Sequence, residues 1–131
     1  ANGVVFDPDR GLLFYTNYGS GRIARVPIDG GGQPGAPATV AMIDGRPDGL
    51  ALDACGNLYA VDQMGSRLFR IWLDDAGAAL GDPELLATFP TNVANAQFGR
   101  GPGWDAASIY AAGNPGDVYR LAVGVAGAPI P

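Results

Sequence analysis

Apolar residues in this chain come in short runs of four or five, broken by clusters of Gly, Pro, Asn and Asp. No window carries apolar residues at i, i+3, i+4 and i+7, so no helix of three or more turns is predicted. The runs repeat. Leu13-Phe14-Tyr15-Thr16 followed by Ile23-Ala24-Arg25-Val26 returns 45 residues later as Leu58-Tyr59-Ala60-Val61 and Leu68-Phe69-Arg70-Ile71, with the same internal spacing. A third copy, Ile109-Tyr110-Ala111-Ala112 with Val118-Tyr119-Arg120-Leu121, is displaced by a further 51 and 50 residues. Each unit opens with another apolar run led by a small polar residue: Asn2-Gly3-Val4-Val5-Phe6, Asp48-Gly49-Leu50-Ala51-Leu52 and Asn95-Ala96-Gln97-Phe98. Fourth runs follow at about 38–43 and 84–89, and the third unit has none.

Short strands joined by tight turns at a period of this size are the signature of propeller blades. The predicted fold class is therefore all-β, a β-propeller fragment of about three blades at about 1–46, 47–93 and 94–131, two of them four-stranded and one incomplete. Gly 21 and Pro 11 are spread between the runs, as many turns require. A propeller hides its sheet edges by closing a ring of typically 4–8 blades, and these three cannot close one. The remaining blades are expected from a missing N-terminal half or from a second copy of the chain. Alone, the chain is expected to be poorly soluble or oligomeric, because faces that normally pack on neighbouring blades are bare.

Composition narrows the chemistry. With 131 residues, 47% hydrophobic and 16% charged, the chain supports one packed unit. Its net charge is −5 and its eight basic residues, all Arg, are scattered singly, which argues against nucleic acid and anionic membrane surfaces. No apolar run approaches the ~20 residues of a membrane span and no signal peptide opens the chain, so a soluble protein is expected, cytoplasmic or periplasmic/secreted. His and Lys are absent and Cys55 is the single cysteine. That inventory excludes a Ser-His-Asp or Cys-His nucleophile, a Lys Schiff base and a His or multi-Cys zinc site within the chain. Twelve Asp, one Glu and several Asn remain, the oxygen donors hard cations prefer.

Asn2-Gly3 with Leu13-Phe14-Tyr15-Thr16-Asn17, then Arg46-Pro47-Asp48-Gly49-Leu50-Ala51-Leu52-Asp53 with Gly56-Asn57-Leu58-Tyr59, then Phe98-Gly99 and a closing Val118-Tyr119-Arg120-Leu121 resemble successive blade openings of the C-terminal half of gluconolactonase-like (senescence marker protein, luciferin-regenerating enzyme) six-bladed propellers. The resemblance implies half of a six-bladed ring, with a lactone or small ester as substrate and a divalent cation, Ca²⁺ or else Zn²⁺, Mn²⁺ or Mg²⁺, on the central channel. It implies Asn2 and Asp48 as metal ligands. The Glu that completes the family's site has no counterpart, since Glu84 lies in a fourth, outer strand. The chain alone is accordingly expected to be inactive.

Residue placement leads to the same cluster. The leading residue of every innermost strand points toward the propeller axis at one end, which brings Asn2, Asp48 and Asn95 together. A cation held there polarises a carbonyl, and Asp48, the only carboxylate of the three, is the candidate general base. Asn95 is a candidate substrate-binding residue. Asn17 and Asp62 end the second strands at the same end, where they either line the mouth or fix turns through local backbone amides. Asn-Gly and Asp-Gly are also ordinary turn signals, and in the alternative reading the chain is a non-catalytic, NHL-like binding or scaffolding propeller. Gly30-Gly31-Gly32 and Gly99-x-Gly101-x-Gly103 open no helix and read as loops. Asp7-x-Asp9 reads as a hairpin turn, and Arg25, Arg70 and Arg120, alike in their strands, as structural.

Overall fold

The computed structural model describes residues 1–130, and Pro131, the end of the third expected blade, lies outside them. The described residues form eleven strands and no helix: β1 (Val4–Asp7), β2 (Leu12–Asn17), β3 (Arg22–Pro27), β4 (Ala38–Met42), β5 (Pro47–Leu52), β6 (Leu58–Asp62), β7 (Arg67–Ile71), β8 (Glu84–Thr88), β9 (Asn95–Phe98), β10 (Ser108–Ala112) and β11 (Val118–Ala122). They make three antiparallel meanders, β1-β2-β3-β4, β5-β6-β7-β8 and β9-β10-β11. The fold is that of consecutive β-propeller blades, with the third short of a fourth strand.

Burial follows directly from the order of the sheets. In β2, Leu12, Phe14 and Thr16 are buried and Leu13, Tyr15 and Asn17 half-buried, because only one face meets a neighbour. In β6 all five residues are buried, because the middle sheet is covered on both sides. Leu50, Leu52, Leu58, Ala60 and Ile71 pack on Phe14, Ile23 and Val40 of the first sheet. Ala51, Tyr59, Val61 and Leu68 pack on Phe98, Ile109 and Ala111 of the third, where the Tyr59 and Phe98 rings meet edge to face at 5.2 Å. Each large apolar side chain so buried stabilises the fold by roughly 1.5–3 kcal/mol. The outer faces of the first and third sheets have no such cover, and Val4, Phe6 and Val118 are exposed there.

Three hairpins reuse one device, Asp-x-x-Gly-x. The carboxylates of Asp29, Asp53 and Asp74 each accept the backbone N–H groups two and four residues on, at 2.8–2.9 Å. Gly32, Gly56 and Gly77 take the left-handed conformation that closes each turn, at φ 78°, 81° and 72°. Asp7 fixes its own turn in the same way, accepting from Asp9 and Arg10. The strand-three arginines are structural: Arg25 reaches the Ala76 carbonyl of the next sheet, Arg70 pairs with Glu84 at 2.9 Å, and Arg120 with Asp105 at 2.7 Å. Beyond β11 the chain returns to the middle sheet, where Ala54 N–H donates to Ala126 O at 2.8 Å and Ala128 N–H to Leu52 O at 2.9 Å. This adds a short rung to the free edge of β5.

Candidate functional site

The innermost strands β1, β5 and β9 lie side by side, and glycine sets how closely. A Cβ on Gly3 would collide with the Asp48 carbonyl oxygen and stand 2.9 Å from Leu50 N. A Cβ on Gly49 would stand 2.8 Å from Asn95 Cα. The glycines of the first two openings are therefore required by the next blade's backbone. The local turn that Asn-Gly and Asp-Gly pairs often make is absent, since Asp48-Gly49 lies inside β5. Asn2, Asp48 and Asn95 consequently follow one another at the same end of the inner strands.

Backbone irregularity marks the first two openings. The β5–β6 register shifts between Pro47 and Leu50, so Asp48 and Gly49 sit in a bulge, a device that redirects a side chain out of the regular pleat. At the first opening two residues face one: Asn2 N–H donates to Thr16 O at 3.1 Å, while Thr16 N–H donates to Gly3 O at 2.9 Å. Gly3 N–H is taken instead by the Thr16 hydroxyl at 2.7 Å, and that hydroxyl donates to Asp48 O at 2.8 Å. Between the second and third blades the junction is direct, Gly49 N–H to Ala94 O at 3.0 Å.

The acidic side chains fall into two groups. Asp62 is wholly buried and committed, accepting from Arg46 N–H at 2.7 Å and Gly65 N–H at 3.1 Å, and pairing with Arg67 at 2.7 Å. Its carboxylate serves the turn at Gly65 and the pair with Arg67. Asp53 is likewise engaged by Cys55, Asn57 and Tyr59. Asp48 is half-buried, and burial raises its carboxyl above the ordinary value, with no hydrogen bond or arginine on that carboxylate among the described residues. Asn2 is exposed, and Asn95 Oδ1 accepts its own neighbour's Ala96 N–H at 2.8 Å. Asn17 closes β2 half-buried, with its carbonyl accepting from Ser20 N–H at 3.3 Å.

One carboxylate flanked by two amide oxygens is a donor set of the type hard cations accept. The set is sparse: among the described residues no three His, Cys, Asp or Glu side chains gather into a metal cluster. Two concavities lie elsewhere. One of about 300 Å³ is at the opposite end, between Asp7–Arg10, Leu52–Gly56 and Pro129. Another of about 410 Å³ lies between β1 and β9, lined by Val4, Phe6, Gln97 and Ile130. Asn2, Asp48 and Asn95 line neither. Sequence reasoning passed over Thr16 and the packing roles of Gly3 and Gly49. The one signal for Thr16 was a hydroxyl where the repeat places Val61 and Ala112.

Comparison with known proteins places these features in a family. Residues 1–104 match the model of the SMP-30/Gluconolactonase/LRE-like region. A 6-deoxy-6-sulfogluconolactonase of Pseudomonas putida is 33% identical over 98 residues, covering 72% of this chain and 33% of that protein. Among solved structures, a putative gluconolactonase superposes with a TM-score of 0.76 at 23% identity, over 98% of this chain and 40% of the other. A calcium-binding protein, regucalcin, of Agrobacterium tumefaciens superposes at 0.74 and 21% identity, over 96% and 46%. The chain thus spans a third to somewhat under half the length of these relatives. Among the described residues no helix is long and apolar enough to cross a membrane.

Proposed function

This chain belongs to the SMP-30/Gluconolactonase/LRE-like family, and from that membership we propose that it forms part of a divalent-cation-dependent lactone hydrolase, with Asn2 and Asp48 as ligands and Asp48 as general base. The observation that carries the reading is Asp48 itself. It is the one carboxylate at the converging inner-strand ends, desolvated and without a charge partner, while Asp53 and Asp62 are consumed by turns and ion pairs.

A bound divalent cation supplies Lewis acidity at the lactone carbonyl, and Ca²⁺ is the proposed ion, with Zn²⁺, Mn²⁺ or Mg²⁺ as alternatives. Asp48 accepts a proton as water adds to that carbonyl, and returns it to the ring oxygen as the C–O bond breaks, leaving a hydroxy acid. Asn2 contributes an amide oxygen, and the Asn95 and Asn17 amides orient substrate hydroxyls at the rim. Asp62 supports the rim from behind, through Arg46 N–H. Glu84 is occupied by Arg70 and Trp72 on an outer strand. Further ligands and substrate contacts come from blades beyond these three, whose own limits we place at about 1–46, 47–93 and 94–131. They belong to the same polypeptide or to a second copy. The packing role of Gly3 and Gly49, which explains these openings without any ligand, favours a second reading, a non-catalytic binding or scaffolding propeller.

Hydrolysis of an aldonolactone, followed by pH-stat on the protein carrying these blades, separates the two. Turnover that falls on chelation and in Asp48→Asn, which keeps shape and removes the base, supports the hydrolase. Unchanged turnover in that variant removes Asp48 from the mechanism. The three blades alone are expected to hydrolyse little or nothing.

A further inference from the structure

We infer that Thr16 is a positioning residue of this site: its hydroxyl and backbone together set the spacing between the Asn2 and Asp48 openings. The inference rests on the reading of those two residues as cation ligands. Thr16 is wholly buried. Its N–H donates to Gly3 O at 2.9 Å, its carbonyl accepts Asn2 N–H at 3.1 Å, and its hydroxyl accepts Gly3 N–H at 2.7 Å and donates to Asp48 O at 2.8 Å. All four polar functions of one side chain and one peptide are thus spent on the two ligand-bearing segments.

Blade geometry by itself does not demand this. At the same position of the repeat the second blade has Val61, and there the inner strands join directly through Gly49 N–H and Ala94 O. The hydroxyl occurs at the junction between Asn2 and Asp48 and does what no backbone group does there. It satisfies Gly3 N–H, freed by the irregular pairing, and with the same atom holds the Asp48 peptide. A buried donor and a part-buried acceptor meet on it, so its loss takes a partner from each and lets the two openings shift. Ligand spacing governs cation affinity steeply, because Ca²⁺–O distances fall within about 2.3–2.6 Å.

Titration with CaCl₂ of the protein carrying these blades, followed in ¹H–¹⁵N spectra by the Asn2 side-chain amide and the Asp48 backbone amide, tests the inference. This method reads weak binding. Thr16→Val is expected to weaken Ca²⁺ about tenfold, and Thr16→Ser to stay within about twofold of the native chain, since it keeps the hydroxyl. Asp48→Asn is the control for the underlying reading: a native-like response in that variant removes the cation site itself. A response lost in Asp48→Asn and native-like in Thr16→Val overturns the positioning role alone. So does a Val variant that melts lower yet binds Ca²⁺ with native affinity, which is a purely structural effect. If Thr16→Val fails to fold, Thr16→Ser still decides: a Ser variant tenfold weaker than the native chain overturns the hydroxyl's role.

Discussion

Replacing Gly3 by Ala reverses the usual sign of a Gly-to-Ala exchange. Where space allows, Ala stabilises by ~0.4–1 kcal/mol, because the unfolded chain loses freedom. At Gly3 the added methyl would overlap the Asp48 carbonyl oxygen and lie 2.9 Å from Leu50 N and 3.0 Å from Asp48 C. All three are backbone atoms of the neighbouring inner strand, so no side chain can swing aside. Overpacking of this kind costs about 1–3 kcal/mol, and the upper end applies because a strand must move. The same motion breaks the Thr16–Asp48 bond of 2.8 Å, adding about 1 kcal/mol. The net expectation is a loss of about 3 kcal/mol, near 10 °C in melting temperature for a chain of this size. Gly30, whose added methyl meets nothing within 4 Å, is the matched control, and Gly30→Ala is expected to be neutral or slightly stabilising. Urea denaturation of both variants, with midpoint and slope compared, measures the difference. A Gly3→Ala chain as stable as Gly30→Ala would refute the claim that this glycine sets the approach of adjacent blades.

Asp62→Ala leaves Arg67 and two backbone N–H groups without their buried acceptor and is expected to cost about 3 kcal/mol by denaturant unfolding. A cost under 1 kcal/mol would free Asp62 for a role at the rim. The Ser108 hydroxyl, Ala107 N–H and Arg120 hold the Asp105 carboxyl below its ordinary value. The stabilisation it contributes is thus present above the unfolded-state value and lost as pH falls through the folded one. Asp105→Asn is expected to flatten that part of the acid limb in melting curves, and an unaltered limb would contradict it. With Val4, Phe6 and Val118 bare on the two outer sheet faces, the chain by itself is expected to self-associate in size-exclusion chromatography, and a well-folded monomer across the micromolar range would contradict it.

Which parts of this structure were legible in the sequence depended on the range of the interaction. The blades were, because Leu13 to Thr16 and Leu58 to Val61 repeat with fixed spacing and turn residues mark each strand end. The Asp7-x-Asp9 hairpin turn and the Gly30-Gly31-Gly32 loop were local and read as such. Gly3 and Gly49 were not legible, because the atoms that forbid a side chain there belong to residues about 45 positions away. Thr16 was hidden for the same reason, with Asp48 32 residues distant. Asp62 ends a strand as Asn17 does, but Arg46 and Arg67 decide that its carboxylate turns inward. The return of Ala126 to Ala128 to the middle sheet carries no strand pattern at all.

Mn²⁺ at substoichiometric concentration tests whether a divalent cation is held where the inner strands begin, by paramagnetic broadening in ¹H–¹⁵N spectra of the protein carrying these blades. The amides of Asn2, Gly3, Asp48 and Gly49 are expected to broaden first, and Asp48→Asn to abolish the effect. Broadening centred on Asp9 and Asp75, the carboxylates exposed at the opposite end, or broadening at Asp48 that survives Asp48→Asn, would contradict it.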